Sequence, residues 1–254
     1  MAEARYLYCI ADDNKKISFG NIGIEGNEVY TIPYEDLCAV THNCSTEPYK
    51  SEDEEKVKSW VTIHEKVVEA VWEKLGAILP FGFDTIIKGD QDNDPEVNMK
   101  NWLKDDYENL KQKLSKLKDK AEFGAQIFWD LKIISEGLIE TNKEIKKLND
   151  EIKSKSKGLA YMYKQKLENL LKKEIEKEAD RYFRNFYEQI KGCVDEIKVD
   201  KTKKGEEGNQ MLMNLSCLLP KEKSKVLGDE LEKIDNMMEF SVRFTGPWPP
   251  YSFV

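Results

Sequence analysis

At 254 residues with 40% hydrophobic side chains, the chain can build one large or two small ordinary cores. Its formal charge of −8 disfavours a nucleic-acid binder, because phosphate contacts need a basic face. Five cysteines at irregular spacing make no disulfide framework and point to a reducing interior.

No stretch approaches the ~18 consecutive apolar residues of a membrane span, and Met1-Ala2-Glu3-Ala4-Arg5 lacks a cationic start followed by an apolar run. A soluble, cytoplasmic protein without a lipid-membrane partner is expected. The charge is unevenly spread. Residues 1–120 carry 16 basic and 24 acidic groups, whereas 121–254 carry 24 of each. Within the second half, Lys143 to Lys173 holds ten basic and four acidic residues, a local basic patch.

Arg5 to Ala11 is rich in strand-formers and ends at the turn cluster Asp12-Asp13-Asn14, so it reads as the first strand. Ile22 and Ile24 alternate before Gly26-Asn27, with Val29 to Ile32 as hairpin partner, and Leu37 to Thr41 is a third candidate strand. Glu52 to Leu75 has apolar residues on one helical side, with Ser51 as the expected N-cap and Gly76 as its stop. Ala77 to Ile87 returns as a strand whose Pro80 needs an edge, a start or a bulge. Pro95 to Lys118 is another amphipathic helix.

Phe123 to Ile134 alternates and then becomes continuously apolar, as a buried strand does. Residues 135–191 contain no proline and repeat apolar side chains at helical spacing, through Ile145, Leu148 and Ile152, then Leu159, Met162, Tyr163, Leu167, Leu170 and Leu171. The phase weakens across 153–158, which predicts an antiparallel helical hairpin with a lysine-rich tip in solvent. The aromatic end at Tyr182, Phe183, Phe186 and Tyr187 is expected to lie on a sheet. Cys193 to Val199, Met211 to Leu219, a helix over Lys221 to Asn236 and a strand over Met238 to Phe244 follow.

The fold class predicted is α+β with two domains. Residues 1–120 would form a small modified ferredoxin-like domain. Residues 121–254 follow the order β-α-β-β-α-β of a ferredoxin-like sandwich, enlarged by a coiled-coil hairpin at about 135–191. The tail 245–254 carries no charge; its three prolines forbid helix, and Trp248, Pro250, Tyr251 and Phe253 are expected to dock beside the last strand or between the domains.

Candidate chemistry is sparse. Cys38, His42 and Cys44, with His64 as a fourth ligand, could hold zinc or support a thiol enzyme, but the spacing fits no standard site and His64 sits in an apolar stripe. Asp90, Asp92 and Asp94 resemble the start of a calcium loop that lacks its glycine and closing glutamate. No phosphate-cradling glycine pattern and no nucleophile-elbow sequence occurs. No enzyme and no cofactor is expected.

The run Gly246-Pro247-Trp248-Pro249-Pro250-Tyr251-Ser252-Phe253 closely resembles the C-terminal signature of the gas vesicle protein F/L family (GvpF/GvpL). Tyr6-Leu7-Tyr8-Cys9-Ile10, His64 ahead of Leu79-Pro80, Phe128-Trp129-Asp130 and Gly158-Leu159-Ala160-Tyr161-Met162 agree with it, so the resemblance spans nearly the whole chain. One block departs: Leu79-Pro80-Phe81-Gly82-Phe83-Asp84-Thr85 stands where many members read Leu-Pro-x-Arg-Phe-Gly-Thr, so no role of that arginine carries over.

The resemblance implies an accessory protein of vesicle assembly, located at the gas vesicle and cytoplasmic while it is built. The implied partners are the shell protein GvpA and other accessory proteins. A coiled-coil adaptor unrelated to vesicles is the alternative. Contact with GvpA is expected from apolar or strand-edge residues Tyr6, Tyr8, Tyr30, Ile32, Phe81 and Phe83, although each could equally be core. A second, electrostatic contact is expected from Lys143, Lys146, Lys147, Lys153, Lys155 and Lys157.

Overall fold

The computed structural model describes residues 4–91, 93–203, 205 and 208–254, and of Lys157 the backbone alone. The chain is α+β and forms two compact units, one made by the residues up to Glu122 together with Pro247–Val254, the other by Phe123–Gly246.

In the first unit, strand β1 (Ala4–Ala11) runs through the middle of a sheet. It pairs antiparallel with β4 (Leu37–Cys44) on one side, and with β5 (Ile78–Pro80) and β6 (Ile86–Lys88) on the other. β3 (Val29–Tyr34) lies outside β4, and the short β2 (Ser18–Gly20) forms the edge. The central position explains why β1 is an unbroken apolar run: residues 6 to 11 are all buried, as in a strand covered on both faces.

Helix α1 (Glu54–Leu75) brings Trp60, His64, Val67, Val68 and Val71 inward. Its N-cap is Asp53, whose carboxylate accepts from the Glu55 and Lys56 amides, rather than Ser51, whose hydroxyl accepts from the Asp53 amide. The single helix expected over 95–118 is two, α2 (Pro95–Asp105) and α3 (Tyr107–Leu117), broken at Asp106, where φ is −106° and ψ 11°.

Two further corrections fall on turns. Ile22 to Glu25 does not form a strand: Ile24–Gly26 is a 3-10 turn with Glu25 at φ 57° and Gly26 at φ 76°, and the partner of β3 is β2. The strand expected over 77–87 is interrupted by a loop with Asp84 at φ 70°, and its two halves β5 and β6 both pair with β1. Pro80 accordingly sits at a strand end, where its missing N–H costs no ladder bond.

The second unit holds β7 (Lys120–Asp130), which alternates buried and half-buried positions throughout, with Phe123, Ala125, Ile127 and Trp129 inward. Asp130 both ends this strand and N-caps α4 (Leu131–Thr141), accepting from the Lys132 and Ile133 amides at 2.8 and 3.2 Å. The apolar run through Ile134 is therefore strand followed directly by helix, not one buried strand.

Asn142 likewise caps α5 (Lys143–Lys153), so the outgoing arm of the expected hairpin is two helices. α6 (Lys157–Lys191) is the long returning helix. Ile145, Leu148 and Leu167 are the buried centre of the contact between α5 and α6, with Leu138, Ile139, Ile152, Tyr163, Leu170 and Leu171 around them. At the far end of α6, Tyr182 and Phe186 lie edge-on against Phe240, with ring centroids 4.8 and 5.0 Å away. β8 (Glu196–Val199), β9 (Asn209–Pro220), α7 (Ser224–Asp235) and β10 (Phe240–Trp248) complete the unit, whose sheet order is β10-β7-β9-β8.

Candidate functional site

The polar interior of the first unit is a crossed pair of tyrosines and histidines. The Phe81 carbonyl lies 3.1 Å from Nε2 of His64 and can only accept, so that nitrogen carries the hydrogen and Nδ1 is a bare acceptor. The Tyr6 hydroxyl, 2.9 Å from Nδ1, donates to it and itself accepts from the Asp84 amide at 3.0 Å. The second pair repeats the scheme. The Tyr8 hydroxyl accepts from the Ile24 amide at 3.1 Å and is hydrogen-bonded to Nδ1 of His42 at 2.8 Å, while Nε2 of His42 meets the Tyr49 hydroxyl at 3.0 Å.

The rings cross over: Tyr6 stacks on His42 at 4.9 Å and Tyr8 on His64 at 5.4 Å. Burial lowers both histidines to about 4, so both rings are neutral at neutral pH. Burial pushes the Tyr6 and Tyr8 phenols upward and Tyr49 to about 12. The cluster pins three loops to β1: the turn at Ile24, the segment at Tyr49 and the loop 81–85.

The same geometry accounts for the residues weighed as an alternative metal or thiol site. His42 and His64 have both ring nitrogens engaged, so neither offers a lone pair to a metal shared with Cys38 or Cys44. Burial raises the Cys38 thiol to about 12 and the Cys44 thiol to about 11, so neither is an activated thiolate nucleophile at neutral pH. The acidic loop is also accounted for locally. Asp94 caps α2 through the Glu96 and Val97 amides, and Asp90 accepts from the Asn93 amide and the Asn98 side chain; Asp92 lies outside the described residues.

Of the apolar residues expected to meet a partner, Tyr6, Tyr8 and Ile32 are core, because β1 and β3 lie inside the sheet rather than at its edge. Tyr30, Phe81 and Phe83 are half-buried. Tyr30 donates to Asn43, Phe81 sits edge-on against Trp102 at 5.7 Å, and Phe83 lies against Tyr6, Tyr49 and His64. Phe81 and Phe83 thus keep part of their surface open while packing on Trp102 and on the tyrosine and histidine cluster.

The tail groups with the first unit. Pro249, Pro250 and Phe253 are buried, and Ser252 gives two hydrogen bonds to the Glu122 carboxylate, from its amide at 2.8 Å and its hydroxyl at 2.6 Å. Trp248 and Tyr251, expected to be buried with them, keep 49% and 37% of their surface open. Residues 245–248 continue β10. Glu122 was missed because its partner is 130 positions away, and only the lack of any charge in the tail hinted at a single distant carboxylate.

On the helical arm, Lys143, Lys146, Lys147 and Lys153 are exposed. Lys153 pairs with Asp150 at 3.2 Å, and Lys155 is half-buried over the Tyr163 ring. The Lys157 side chain lies outside the described residues. Leu159 and Met162, read as part of the buried stripe, are 50% and 64% exposed, as is Tyr161 at 64%. α5 has ended at Lys153, so the first turn of α6 has only the loop opposite it.

Among the described residues, no helix is long and apolar enough to cross a membrane. The geometry defines an α+β protein of two compact units, with a tyrosine and histidine cluster inside the first. A family model described as gas vesicle synthesis protein GvpL/GvpF matches residues 4–254, and the chain belongs to that family, which gives it a gas-vesicle role. It is 26% identical to gas vesicle protein L1 of Halobacterium salinarum, over 100% of this chain and 91% of that one. It is 21% identical to gas vesicle protein F of Nostoc sp., over 100% and 98%. The crystal structure of the gas vesicle protein GvpF from Anabaena sp. has the same fold, with a TM-score of 0.78 at 21% identity over 99% of this chain and 98% of that one. That of GvpF from Microcystis aeruginosa gives 0.70 at 20%, with the same shares covered.

Proposed function

We propose that this chain is an accessory protein of gas vesicle assembly that binds the shell protein GvpA and sibling accessory proteins during nucleation, in the cytoplasm and at the growing vesicle. The observation that carries this reading is the family match over residues 4–254. The fold behind it is read as a ferredoxin-like second unit bearing a helical hairpin, whose strand order β10-β7-β9-β8 fits that topology, and a modified form in the first unit.

GvpA contact is assigned to the half-buried Tyr30, Phe81 and Phe83, and electrostatic steering to Lys143, Lys146, Lys147 and Lys153. The test is recovery of GvpA on the immobilised full chain. Phe81→Ser with Phe83→Ser is expected to abolish recovery at any salt, with thermal melts confirming that the variant is folded. Charge reversal at the four lysines is expected to lower recovery only where the Debye length exceeds ~8 Å. Undiminished recovery with the folded phenylalanine variant would show that GvpA binds elsewhere.

A further inference from the structure

The docked tail leaves a groove that its own side chains do not fill. Trp248 and Tyr251 form its aromatic wall, Glu65 and Glu69 of α1 its rim, and it encloses about 470 Å³ within the first unit. The two glutamates stand one helical turn apart, and among the described residues neither is in an ion pair. Lys66 lines the same groove and offsets only part of their charge. An indole and a phenol face beside two carboxylates is a receptor for a cationic side chain, which gains ring attraction, carboxylate pairing and cover for its methylene stem.

We propose that this groove binds the Lys143 and Lys147 side chains of a second copy of the chain. Those lysines are exposed on α5, also one turn apart, and among the described residues neither is in an ion pair. A carboxylate pair and an ammonium pair each spaced by one helical turn, ~5–6 Å, can meet in register. The charge distribution agrees, since residues 143–173 are basic and the net negative charge lies in residues 1–120. The contact joins unlike surfaces, groove to helix, so two copies can exchange it reciprocally or pass it on head to tail. It shares Lys143 and Lys147 with the steering of GvpA proposed above, and it is tested on the chain alone, without GvpA, so that the two readings fail separately.

The test is sedimentation velocity of the purified full chain at about 50 mM and about 500 mM salt, where the Debye length falls by roughly threefold. Concentration-dependent association is expected at low salt and is lost at high salt. Glu65→Lys with Glu69→Lys, and separately Lys143→Glu with Lys147→Glu, are each expected to weaken it about tenfold or more. An equimolar mixture of the two variants is expected to associate again, because the reversed groove of one accepts the reversed helix of the other. Trp248→Ala is expected to weaken association about tenfold while its salt dependence persists. A wild-type chain that stays monomeric at low salt, or a mixture of folded variants that does not associate, overturns the proposal.

Discussion

The Tyr6 hydroxyl donates to Nδ1 of His64 across 2.9 Å, yet the Tyr6 ring stacks on the other histidine, His42. Tyr8 does the converse, so each tyrosine bonds one imidazole and stacks on its neighbour. The four rings act as one unit, and a change at any member is felt by the loops they hold.

Tyr6→Phe keeps the ring but removes both the donor to His64 and the acceptor for the Asp84 amide. Each buried group left without a partner costs about 1–3 kcal/mol, so the urea midpoint is expected to fall clearly. Tyr8→Phe is expected to act alike through His42 and the Ile24 amide. Midpoints equal to wild type would mean that water replaces the hydroxyls and that the cluster is not closed.

Acid is expected to destabilise the first unit before most carboxylates titrate. Both histidines are lowered from 6.5 to about 4 in the fold, so the folded state favours the neutral ring. The stabilisation is complete above pH 6.5 and is lost as pH falls from there toward 4, by at most roughly 3 kcal/mol per histidine. Melting curves between about pH 7 and about pH 5 check this. A melting temperature that does not move over that range contradicts the burial of the two rings.

Phe253→Ala is expected to cost about 3–5 kcal/mol, because the side chain is 6% exposed and its removal leaves a cavity. Ser252→Ala should cost about 1.5–3 kcal/mol by releasing the Glu122 carboxylate from the hydroxyl. Calorimetry of the two variants separates packing from hydrogen bonding. A tail variant with wild-type stability would make residues 249–253 a free peptide.

Gly23→Ala is expected to lower stability although the site is only a short turn. A Cβ there would lie 2.7 Å from the Asn27 carbonyl oxygen and 3.1 Å from the Tyr8 hydroxyl, so the turn that feeds the Ile24 amide to Tyr8 must shift. Strain of this kind costs about 1–3 kcal/mol. A near-neutral effect in denaturant titration would show that the turn yields without disturbing the ring cluster.

Periodicity located the long helices, because an apolar stripe over many turns has no competing explanation in Ile145, Leu148 and Leu167. It failed at the junctions between adjoining elements. Asp130, Asn142 and Asp106 each stand at a junction inside a pattern that stays apolar on both sides, so the pattern hides the boundary. The surface residues were harder. Tyr6 and Phe81 have similar composition around them, and only the strand order tells that the first lies in a central strand, while the second falls in the loop after β5. The pairing of Tyr6 with His64 and of Ser252 with Glu122 joins residues 58 and 130 apart, beyond any local signal.

The bond from Ser252 to Glu122 also sets an order of events during synthesis. The chain departs from its first unit at Glu122 and re-enters it at Pro247. The sheet and helices of that unit can assemble as they are made, but the surface that receives Pro249 and Phe253 stays uncovered until the ribosome has translated all of 123–246. For that interval the nascent chain carries an open apolar site, and anything that shields it, a chaperone or a waiting partner, must leave before the tail can settle.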